Sequence, residues 1–509
     1  MSDEMPEQEV SRRSMLVAGA AWMGGARIIN ALISFTSIIL LARLLAPDDF
    51  GLLAIATAVS LLITMVSELS VSQALIHVEE LEDGHFDTAF TIGVIRALAM
   101  GVLTLLLAAP TAYFYDDPRL VEVLYIFAGI SVVGSLISPR FILLQRDLDF
   151  RGMVALDIAD KLVGLIVTVA IAWATGSYFA LPFGILASQL ARMVLSFALA
   201  PYRPRLALSH WRELVHFSIW MTLGSWVQTI NWRTDPMVFG LFVASGPLGQ
   251  FSMAERTSGI VSREILYPVS HMLFPAFSRI RSERERLRKA YTAAQGVLTT
   301  GVLPMAVGLA LLAEPIVRLL LSEKWLPAVP YIQILAFCVA CRLLQSLQPI
   351  AMATGETRQL FNRDLRSMLI RLPLMVIGVV WGLRTGTDII FSALVGRLAA
   401  AMINAILNMV LIQRISPVTI MDHVRLCARP VIAAAIMSGS VLAVSANLEP
   451  STYLFETAVE FALLVALGAV SYGVSIVLMW LVAGRPEGAE THLWEIAKSG
   501  LAKIPAKAG

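Results

Sequence analysis

Charged and amide side chains stand inside stretches of the sequence that are otherwise apolar. A charge at the centre of a lipid bilayer costs at least about 2.5–3.5 kcal/mol, so it needs a partner or a water-filled cavity. Arg256 and Arg263 illustrate the spacing, because seven residues place two side chains on one helix face, two turns and about 10 Å apart. We predict that one polar cavity is lined by Arg27, Asn30, Glu68, Arg96, Arg233, Asp235, Arg256, Arg263, Arg342 and Arg397.

Seven of these ten residues are arginines, and this bias predicts a cavity that attracts an anionic group. The alternative is that the charges form buried ion pairs that fix the register of the helices. The spacing favours such a local pair for Asp157 and Lys161, which are four residues apart. For Arg27, Asp235, Arg256 and Arg263 the cavity is favoured, because an ionisable residue inside a membrane marks a candidate functional site by default.

Asp235 is followed directly by Pro236. A proline here can break the helix and free backbone carbonyls beside a carboxylate, an arrangement that suits a coupling cation. The alternative is a kink that shapes helix packing. We predict no catalytic residue and no metal site, because Cys338, Cys341 and Cys427 lie in or beside apolar segments and no further Cys or His cluster completes a site with them.

The elements that carry the charged residues are membrane-spanning helices. The chain of 509 residues is 57% hydrophobic and 15% charged, whereas a soluble domain is about 45–50% apolar and about 25% charged. These charges are too few to cover a soluble surface, so the sequence predicts an all-α polytopic membrane protein. A span needs about 20 mostly apolar residues. We count about fourteen, at 15–42, 51–76, 87–109, 120–144, 153–174, 178–200, 214–243, 248–277, 291–313, 327–353, 361–383, 388–412, 427–446 and 455–482.

Lysine and arginine concentrate in alternate loops. With Met1 inside, the inner loops include the basic stretch from Arg279 to Lys289, whereas the outer loops hold few basic residues, such as Arg43, Arg119 and Arg384. This asymmetry follows the positive-inside rule and predicts that both termini are cytoplasmic. No loop is long enough for a soluble domain, and the sequence has no phosphate-binding glycine loop, which excludes an appended ATPase.

The spans group into two lobes of six helices. Parallel repeats of this kind predict a pseudo-axis along the membrane normal and a transport path in the cleft between the lobes. Two segments, Arg279–Tyr291 and Ala489–Ile504, are predicted to be interfacial helices. The predicted order is an N-terminal lobe at 15–200, a cytoplasmic linker at 201–213, a C-terminal lobe at 214–413, an additional helix pair at 427–482 and a cytoplasmic amphipathic tail at 483–509.

A helix–break–helix pattern occurs twice. The stretch Trp22–Ala56 and the stretch Trp220–Ala254 have their breaks in step, at Pro47–Gly51 and Ser245–Gly249. Six of 35 positions match without gaps, including both Trp-Met pairs. Because internal repeats are a common way to build transporters, this pattern favours a duplication. The two hairpins are then predicted to face each other, with their breaks on the outer side of the membrane.

Four phrases carry a resemblance to a known family. They are Leu41–Gly51 (LARLLAPDDFG), Leu144–Arg151 (LQRDLDFR), Phe274–Arg279 (FPAFSR) and Leu321–Ala328 (LSEKWLPA). In this order they resemble the Wzx-type polysaccharide exporters, a branch of the multidrug/oligosaccharidyl-lipid/polysaccharide exporter superfamily. The colanic-acid and succinoglycan exporters are the nearest types. Glu68 departs from the pattern, because many members have Asp there.

The resemblance implies a flippase of the bacterial inner membrane. Its substrate would be an oligosaccharide repeat unit on undecaprenyl pyrophosphate, moved by alternating access for exopolysaccharide or lipopolysaccharide biosynthesis. It also implies the use of an ion gradient, with H⁺ and Na⁺ both open as the coupling cation. The expected partners are the lipid-linked oligosaccharide, membrane lipid and the polymerase and co-polymerase of the same pathway, and no nucleic acid. A diphosphate-linked sugar is anionic, which suits a cavity lined by arginine.

Two other functions remain open at this stage. A cation-coupled multidrug exporter of the same superfamily would favour an acidic, aromatic cavity, and the arginine bias argues against it. A membrane glycosyltransferase or polymerase would need catalytic carboxylates at the membrane surface. The acidic cluster Glu79–Asp83 has no matching aromatic or basic groove, so an enzyme is disfavoured.

Overall fold

The structure is a computed structural model of the chain. The residues that it describes are 28–67, 81–146, 150–211, 229–231, 234–262, 267–343, 347–416, 418–448 and 454–484, together with Gly25 and Leu75. All regular secondary structure in these residues is helical. The prediction of an all-α chain is therefore confirmed.

Internal packing divides the chain into two compact units, Met1–Gly249 and Gln250–Gly509. The predicted lobe boundaries are not tested by this division and stay predictions. In addition to a helical segment at 234–240, the first unit contains α1 (Ile28–Leu44), α2 (Pro47–Ser67), α3 (Asp83–Phe114), α4 (Arg119–Ser135), α5 (Phe141–Arg146), α6 (Phe150–Thr175) and α7 (Ala180–Leu199).

The next helix, α8 (Ser245–Val261), begins in the first unit and continues into the second. The second unit continues with α9 (Tyr267–Arg279), α10 (Arg284–Leu311), α11 (Val329–Leu343), α12 (Leu347–Ala353), α13 (Thr357–Thr385), α14 (Ile389–Ile415), α15 (Ile420–Ser445) and α16 (Leu454–Val482).

Nine helices among the described residues are long and apolar enough to cross a membrane, and α1 is a shorter apolar helix. Large apolar side chains are exposed along them, for example Leu106, Ile377 and Leu463. Such surfaces are stable in contact with lipid rather than with water. The chain is therefore a multi-pass membrane protein, and the full count of fourteen spans stays a prediction.

One predicted span is divided into two helices in the structure. α4 ends at Ser135 and α5 begins at Phe141, with Pro139 in the connection between them. Proline cannot continue a helix, because it lacks the amide hydrogen and clashes with the preceding turn. The predicted single span that this corrects is 120–144. The predicted spans 248–277 and 327–353 each contain residues that lie outside the described part of the chain, 263–266 and 344–346.

The predicted separate interfacial helix at Arg279–Tyr291 is also wrong. A turn follows Arg279, and α10 then runs without interruption from Arg284 to Leu311. Most residues at its start, such as Arg286 and Leu287, are good helix formers, so nothing separates the basic turns from the apolar ones. The second predicted interfacial helix, Ala489–Ile504, lies outside the described residues.

The two predicted helix breaks contact each other in the first unit. A Cβ added at Gly51 would lie 1.8 Å from the carbonyl oxygen of Ser245, and one added at Gly249 would lie 1.7 Å from that of Pro47. The contact is reciprocal, because Pro47 and Ser245 hold equivalent places in the repeat, as do Gly51 and Gly249. Only glycine permits this approach of backbone to backbone. Reciprocity is the property of an interface with twofold symmetry, and it supports the duplication.

The phrase at residues 321–328 has a packing role. After α10 the chain forms a π-helical turn (Val317–Leu321) and a 3₁₀ helix (Glu323–Ala328), and between them Ser322 adopts φ 117°. Trp325 follows and is fully buried. The phrase therefore holds a tight connection in place by burying one large aromatic side chain, and it contributes no chemical group to a site.

Candidate functional site

A tight turn sets the geometry of the α13–α14 hairpin. Gly386 ends α13 in the left-handed conformation, at φ 68°, where a side chain would be strained. Asp388 then caps α14 by accepting a hydrogen bond from the amide of Phe391 at 2.9 Å. Its other carboxylate oxygen accepts from the hydroxyl of Tyr331 on α11 at 2.5 Å. The hairpin is thus fixed at its turn to a third helix.

Glycines bring α13 and α14 into backbone contact. A Cβ at Gly378 would lie 2.4 Å from the carbonyl oxygen of Ser392, and one at Gly396 would lie 2.2 Å from that of Leu374. In a membrane, small residues of this kind let two helices approach closely. Side chains beside these contacts are consequently held between the helices in defined positions.

Polar side chains occupy the same helix–helix contact. The amide of Asn404 on α14 donates to the hydroxyl of Ser367 on α13 at 3.1 Å. Arg371 follows Ser367 by four residues, on the same face of α13, and is only 5% exposed. Asn408, one turn beyond Asn404, is buried as well. A polar stripe therefore runs along an otherwise apolar pair of helices.

Arg397 connects this stripe to α8. Its side chain is 12% exposed, and a guanidinium nitrogen lies 3.6 Å from the carboxylate of Glu255, which is 35% exposed. At this distance the pair is an electrostatic contact rather than a short hydrogen bond. Because Glu255 is the more exposed partner, it is placed where another anion could replace it.

Two more arginines extend the positive charge. Arg363 on α13 contacts Asp364 at 2.9 Å, and the positive charge of Arg342 on α11 acts on it electrostatically. We call Arg342, Arg363, Arg371 and Arg397, with Glu255 and Asp364, the arginine seam. Four cations against two anions leave a formal charge of +2 (4 − 2). A guanidinium presents a planar fork of donors that matches phosphate, so the seam is suited to bind a phosphate-bearing anion.

The ten predicted cavity residues fall into three groups. Arg342 and Arg397 belong to the arginine seam, and Arg256 stands next to Glu255 on α8. Asn30 on α1, Arg96 within α3 and the fully buried Asp235 belong to the first unit. The predicted residues that lie outside the described part of the chain are Arg27, Glu68, Arg233 and Arg263.

The predicted local pair of Asp157 and Lys161 is wrong. Asp157 instead contacts Arg192 at 2.5 Å, and the same guanidinium contacts Asp160 at 2.6 Å. We call these three residues the aspartate clamp. Arg192 lies on α7 and both aspartates on α6, so the pair is made across two packed helices. The forked guanidinium can serve both carboxylates at once, which a lysine on the same helix cannot do.

Sequence reasoning missed Arg363 and Arg371 as site residues. Both lie in the predicted span 361–383, and the spacing Arg363, Ser367, Arg371 repeats every four residues. Residues spaced by four share one helix face. The four-residue spacing therefore indicates, from the sequence alone, a polar stripe along one face of this helix.

A second polar site lies at the start of α3. Arg140 donates to Asp83 at 2.6 Å, and the hydroxyl of Tyr202 donates to Asp87 at 2.5 Å. Burial, together with the bond to Asp87, raises the pKa of Tyr202 to about 12. These residues line a cavity of about 430 Å³, formed by Asp83, Asp87, Arg140, Phe197, Pro201, Tyr202, Arg203 and Arg205.

Long apolar helices with charged side chains held between them define a multi-pass membrane protein with the architecture of a transporter. A family model described as "Polysaccharide biosynthesis protein" matches residues 40–330, more than half of the chain, so the chain belongs to this family. The resemblance to polysaccharide exporters is thereby confirmed.

The names of similar proteins agree with this family assignment. The chain is 23% identical over 405 residues to an uncharacterized membrane protein in the cps region of Klebsiella pneumoniae, covering 78% of this chain and 82% of that protein. It is 27% identical to the succinoglycan biosynthesis transport protein ExoT of Rhizobium meliloti, covering 60% and 62%. It is 23% identical to the lipopolysaccharide biosynthesis protein WzxC of Escherichia coli, covering 72% and 76%. These names describe transport and biosynthesis of polysaccharides, so the chain belongs to a class of transporters rather than enzymes.

Solved structures show the same fold. The lipid II flippase MurJ in an inward closed conformation matches with a TM-score of 0.70 at 14% identity, covering 92% of this chain and all of that one. An inward-facing multidrug resistance transporter of the MATE family matches with a TM-score of 0.57 at 15% identity, covering 76% and 94%. At these identities the likeness concerns the fold alone.

Proposed function

We propose that this protein translocates an undecaprenyl-pyrophosphate-linked oligosaccharide across the bacterial inner membrane, with the arginine seam binding the diphosphate. The observation that carries the proposal is the grouping of four arginines on three neighbouring helices, with the partly exposed Glu255 beside Arg397. A guanidinium presents a planar fork of donors that matches the oxygens of a phosphate. A diphosphate therefore suits this group of side chains, and the names of the relatives ExoT and WzxC place those two proteins in polysaccharide transport and biosynthesis.

Glu255 gives the seam a way to exchange its anion. It is the partly exposed carboxylate beside Arg397, at 3.6 Å. A phosphate can form two parallel hydrogen bonds with one guanidinium, which are stronger than a single long contact. We therefore infer that the diphosphate displaces Glu255 from Arg397 on binding, and that Glu255 returns when the substrate leaves.

Translocation by alternating access requires a contact that opens. The reciprocal contact of Gly51 with Ser245 and Gly249 with Pro47 is the one we assign to this step, because it joins the two helix breaks through backbone atoms. The driving ion in this proposal is H⁺ or Na⁺, and the polymerase and co-polymerase of the pathway receive the product on the far side.

The seam argues against export of cationic drugs. A cation placed beside Arg342 and Arg397 would be repelled in a medium of low dielectric constant, where charges interact strongly. The fold likeness to a MATE transporter does not favour a cationic substrate over an anionic one.

The proposal is tested in a strain that lacks the gene and any redundant exporter. We expect lipid-linked repeat units to accumulate on the cytoplasmic leaflet, where an impermeant periodate reagent applied to inside-out vesicles oxidises them. The intact gene, supplied on a plasmid, should return them to wild-type levels. Normal polymer export in the deletion strain would overturn the proposal.

A further inference from the structure

Metal-ligating side chains meet in the first unit, apart from the arginine seam. Glu82, His85 and His210 bring their potential ligand atoms within 4.8 Å of one another. Nε2 of His210 lies 3.8 Å from a carboxylate oxygen of Glu82, and the rings of His85 and His210 stack with their centroids 3.9 Å apart. Two of these residues stand at the start of α3 and the third follows the segment 201–209, so the cluster joins two distant parts of the chain.

The position of His210 is fixed by its surroundings. Its amide donates to the hydroxyl of Thr88 at 3.2 Å, and the amide of Ala207 donates to the hydroxyl of Thr91 at 2.9 Å. Gly84 lies directly beneath the ring, because a Cβ there would stand 2.8 Å from Cε1 of His210. The ring therefore lies against a backbone position that has no side chain, which leaves room for it.

The ring nitrogens are arranged for coordination. The hydroxyl of Ser209 lies 2.9 Å from Nδ1 of His210, which orients the ring and leaves Nε2 directed at Glu82; a hydrogen bond to the second nitrogen is the usual support of a metal-binding histidine. Nδ1 of His85 accepts a hydrogen bond from the amide of Glu82 at 3.2 Å, at the long end of the range, and a metal ion can displace it.

We propose that Glu82, His85 and His210 form a binding site for a divalent transition-metal ion of the zinc class, which fastens the segment 201–210 to the first turn of α3. Two imidazoles and one carboxylate are a ligand set that Zn²⁺ accepts, with the fourth tetrahedral position open to water. The site does not depend on the proposed transport function. It departs from the sequence prediction of no metal site, because His85 and His210 are far apart in the chain and only the fold brings them together.

Metal binding can be measured on the full-length protein, purified in detergent and treated with a chelator. We expect one Zn²⁺ per chain by calorimetry, and an absorption spectrum of tetrahedral Co²⁺ when that ion replaces zinc. His210→Asn should weaken binding at least about 100-fold and Glu82→Gln about 10-fold. Glu122→Gln is the matched control: this carboxylate accepts from Tyr178, outside the cluster, and its variant should bind zinc like wild type.

The attachment of the segment 201–210 to α3 can be measured separately from metal affinity, by limited proteolysis. Arg205 is exposed and is followed by Leu206, so trypsin can cleave after it, and Zn²⁺ should slow this cleavage in wild type but not in His210→Asn. Should His210→Asn fail to fold, Ser209→Ala removes only the group that orients the ring and should weaken zinc binding about 10-fold. Equal zinc affinity in wild type and in the variants of His85, His210 and Ser209 would overturn the proposal, as would trypsin cleavage of wild type that zinc does not change.

Discussion

Two groups of packed helices hold charged side chains between them, and the two groups balance those charges differently. In the first unit, the aspartate clamp sets one arginine, Arg192, against two carboxylates at 2.5 and 2.6 Å. In the second unit, the arginine seam sets four arginines against two carboxylates, and the contact of Arg397 with Glu255 is 3.6 Å long. The formal charges are −1 (1 − 2) and +2 (4 − 2).

The difference shows that the length and exposure of the contacts, and not the presence of charge, distinguish a structural pair from the proposed binding site. The clamp satisfies its cation with short contacts across α6 and α7, so it fixes two helices. The seam groups four guanidiniums, and the long contact of Arg397 with the partly exposed Glu255 leaves a place where a phosphate-bearing anion can bind. Four predictions test this distinction.

The largest expected effect is on transport and comes from the seam. Replacing both Arg342 and Arg397 by Gln should lower polymer export at least about 100-fold, because each hydrogen bond to a charged group contributes about 1.5–3 kcal/mol. Export is measured as polymer released per molecule of protein in the membrane fraction. Arg384→Gln is the matched control, since Arg384 is exposed at the end of α13 and its variant should export normally. Normal export from the double variant would remove the seam from the site.

A large effect on stability is expected from the clamp. Arg192→Gln leaves the buried Asp160 without its cation, and we expect a loss of about 2–3 kcal/mol in the free energy of unfolding, less than for a fully buried pair because Arg192 is 34% exposed. The apparent melting temperature in detergent should fall, while export per folded molecule stays at the wild-type level. An export defect without a change in melting temperature would contradict the structural role.

Glycine contacts in the two helix pairs should respond unequally. A Cβ at Gly396 would meet the backbone oxygen of Leu374 at 2.2 Å, whereas one at Gly184 would meet Thr168 Oγ1 at 1.7 Å. A backbone atom cannot turn aside, so Gly396→Ala should cost about 1–3 kcal/mol by overpacking. Gly184→Ala should be partly rescued by Thr168→Ala, as judged by melting temperature. The same temperature for Gly184→Ala with and without Thr168→Ala would refute this reading.

The smallest effect concerns a polar contact outside the spans. The pKa of Tyr202 is raised to about 12 by burial and by its bond to Asp87, from about 10 in an unfolded chain. The folded protein thus keeps this proton to higher pH, and the resulting stability is complete below pH 10 and is lost between about pH 10 and about pH 12. Tyr202→Phe should melt slightly lower than wild type at pH 8 and should lack this decline. Parallel melting curves from pH 8 to 11 would contradict it.

Helical spacing and apolar length predicted much of the fold. They located the long helices and placed Arg397 in the predicted span 388–412, which the structure shows as α14, because these features depend on residues close together in the chain. They could not identify the partner of Asp157, because Arg192 lies on another helix and spacing reports local neighbours alone. Glu255 flanked a predicted site residue, yet its contact with Arg397 depends on how α8 and α14 pack.

The glycine contacts show the same limit. Nothing in the residue types around Gly51 or Gly396 states which carbonyl lies against them, since that depends on the approach of two backbones. Pro139 was a stronger signal than the prediction allowed, because it lies in the connection between α4 and α5 within a stretch whose hydropathy is continuous. Hydropathy indicates how much of the chain lies in the membrane, and a proline indicates where a helix can end.

The reciprocal contact of Pro47–Gly51 with Ser245–Gly249 carries a consequence for ancestry. Because both sides of this contact are copies of the same segment, one segment is enough to form both sides. A half-length ancestral chain could have made the whole contact by pairing with another copy of itself, using one glycine and one carbonyl twice. In such a homodimer a single substitution would have altered both sides at once. Fusion of the two genes freed each side to vary alone, and Pro47 and Ser245 now differ while the two glycines remain the same.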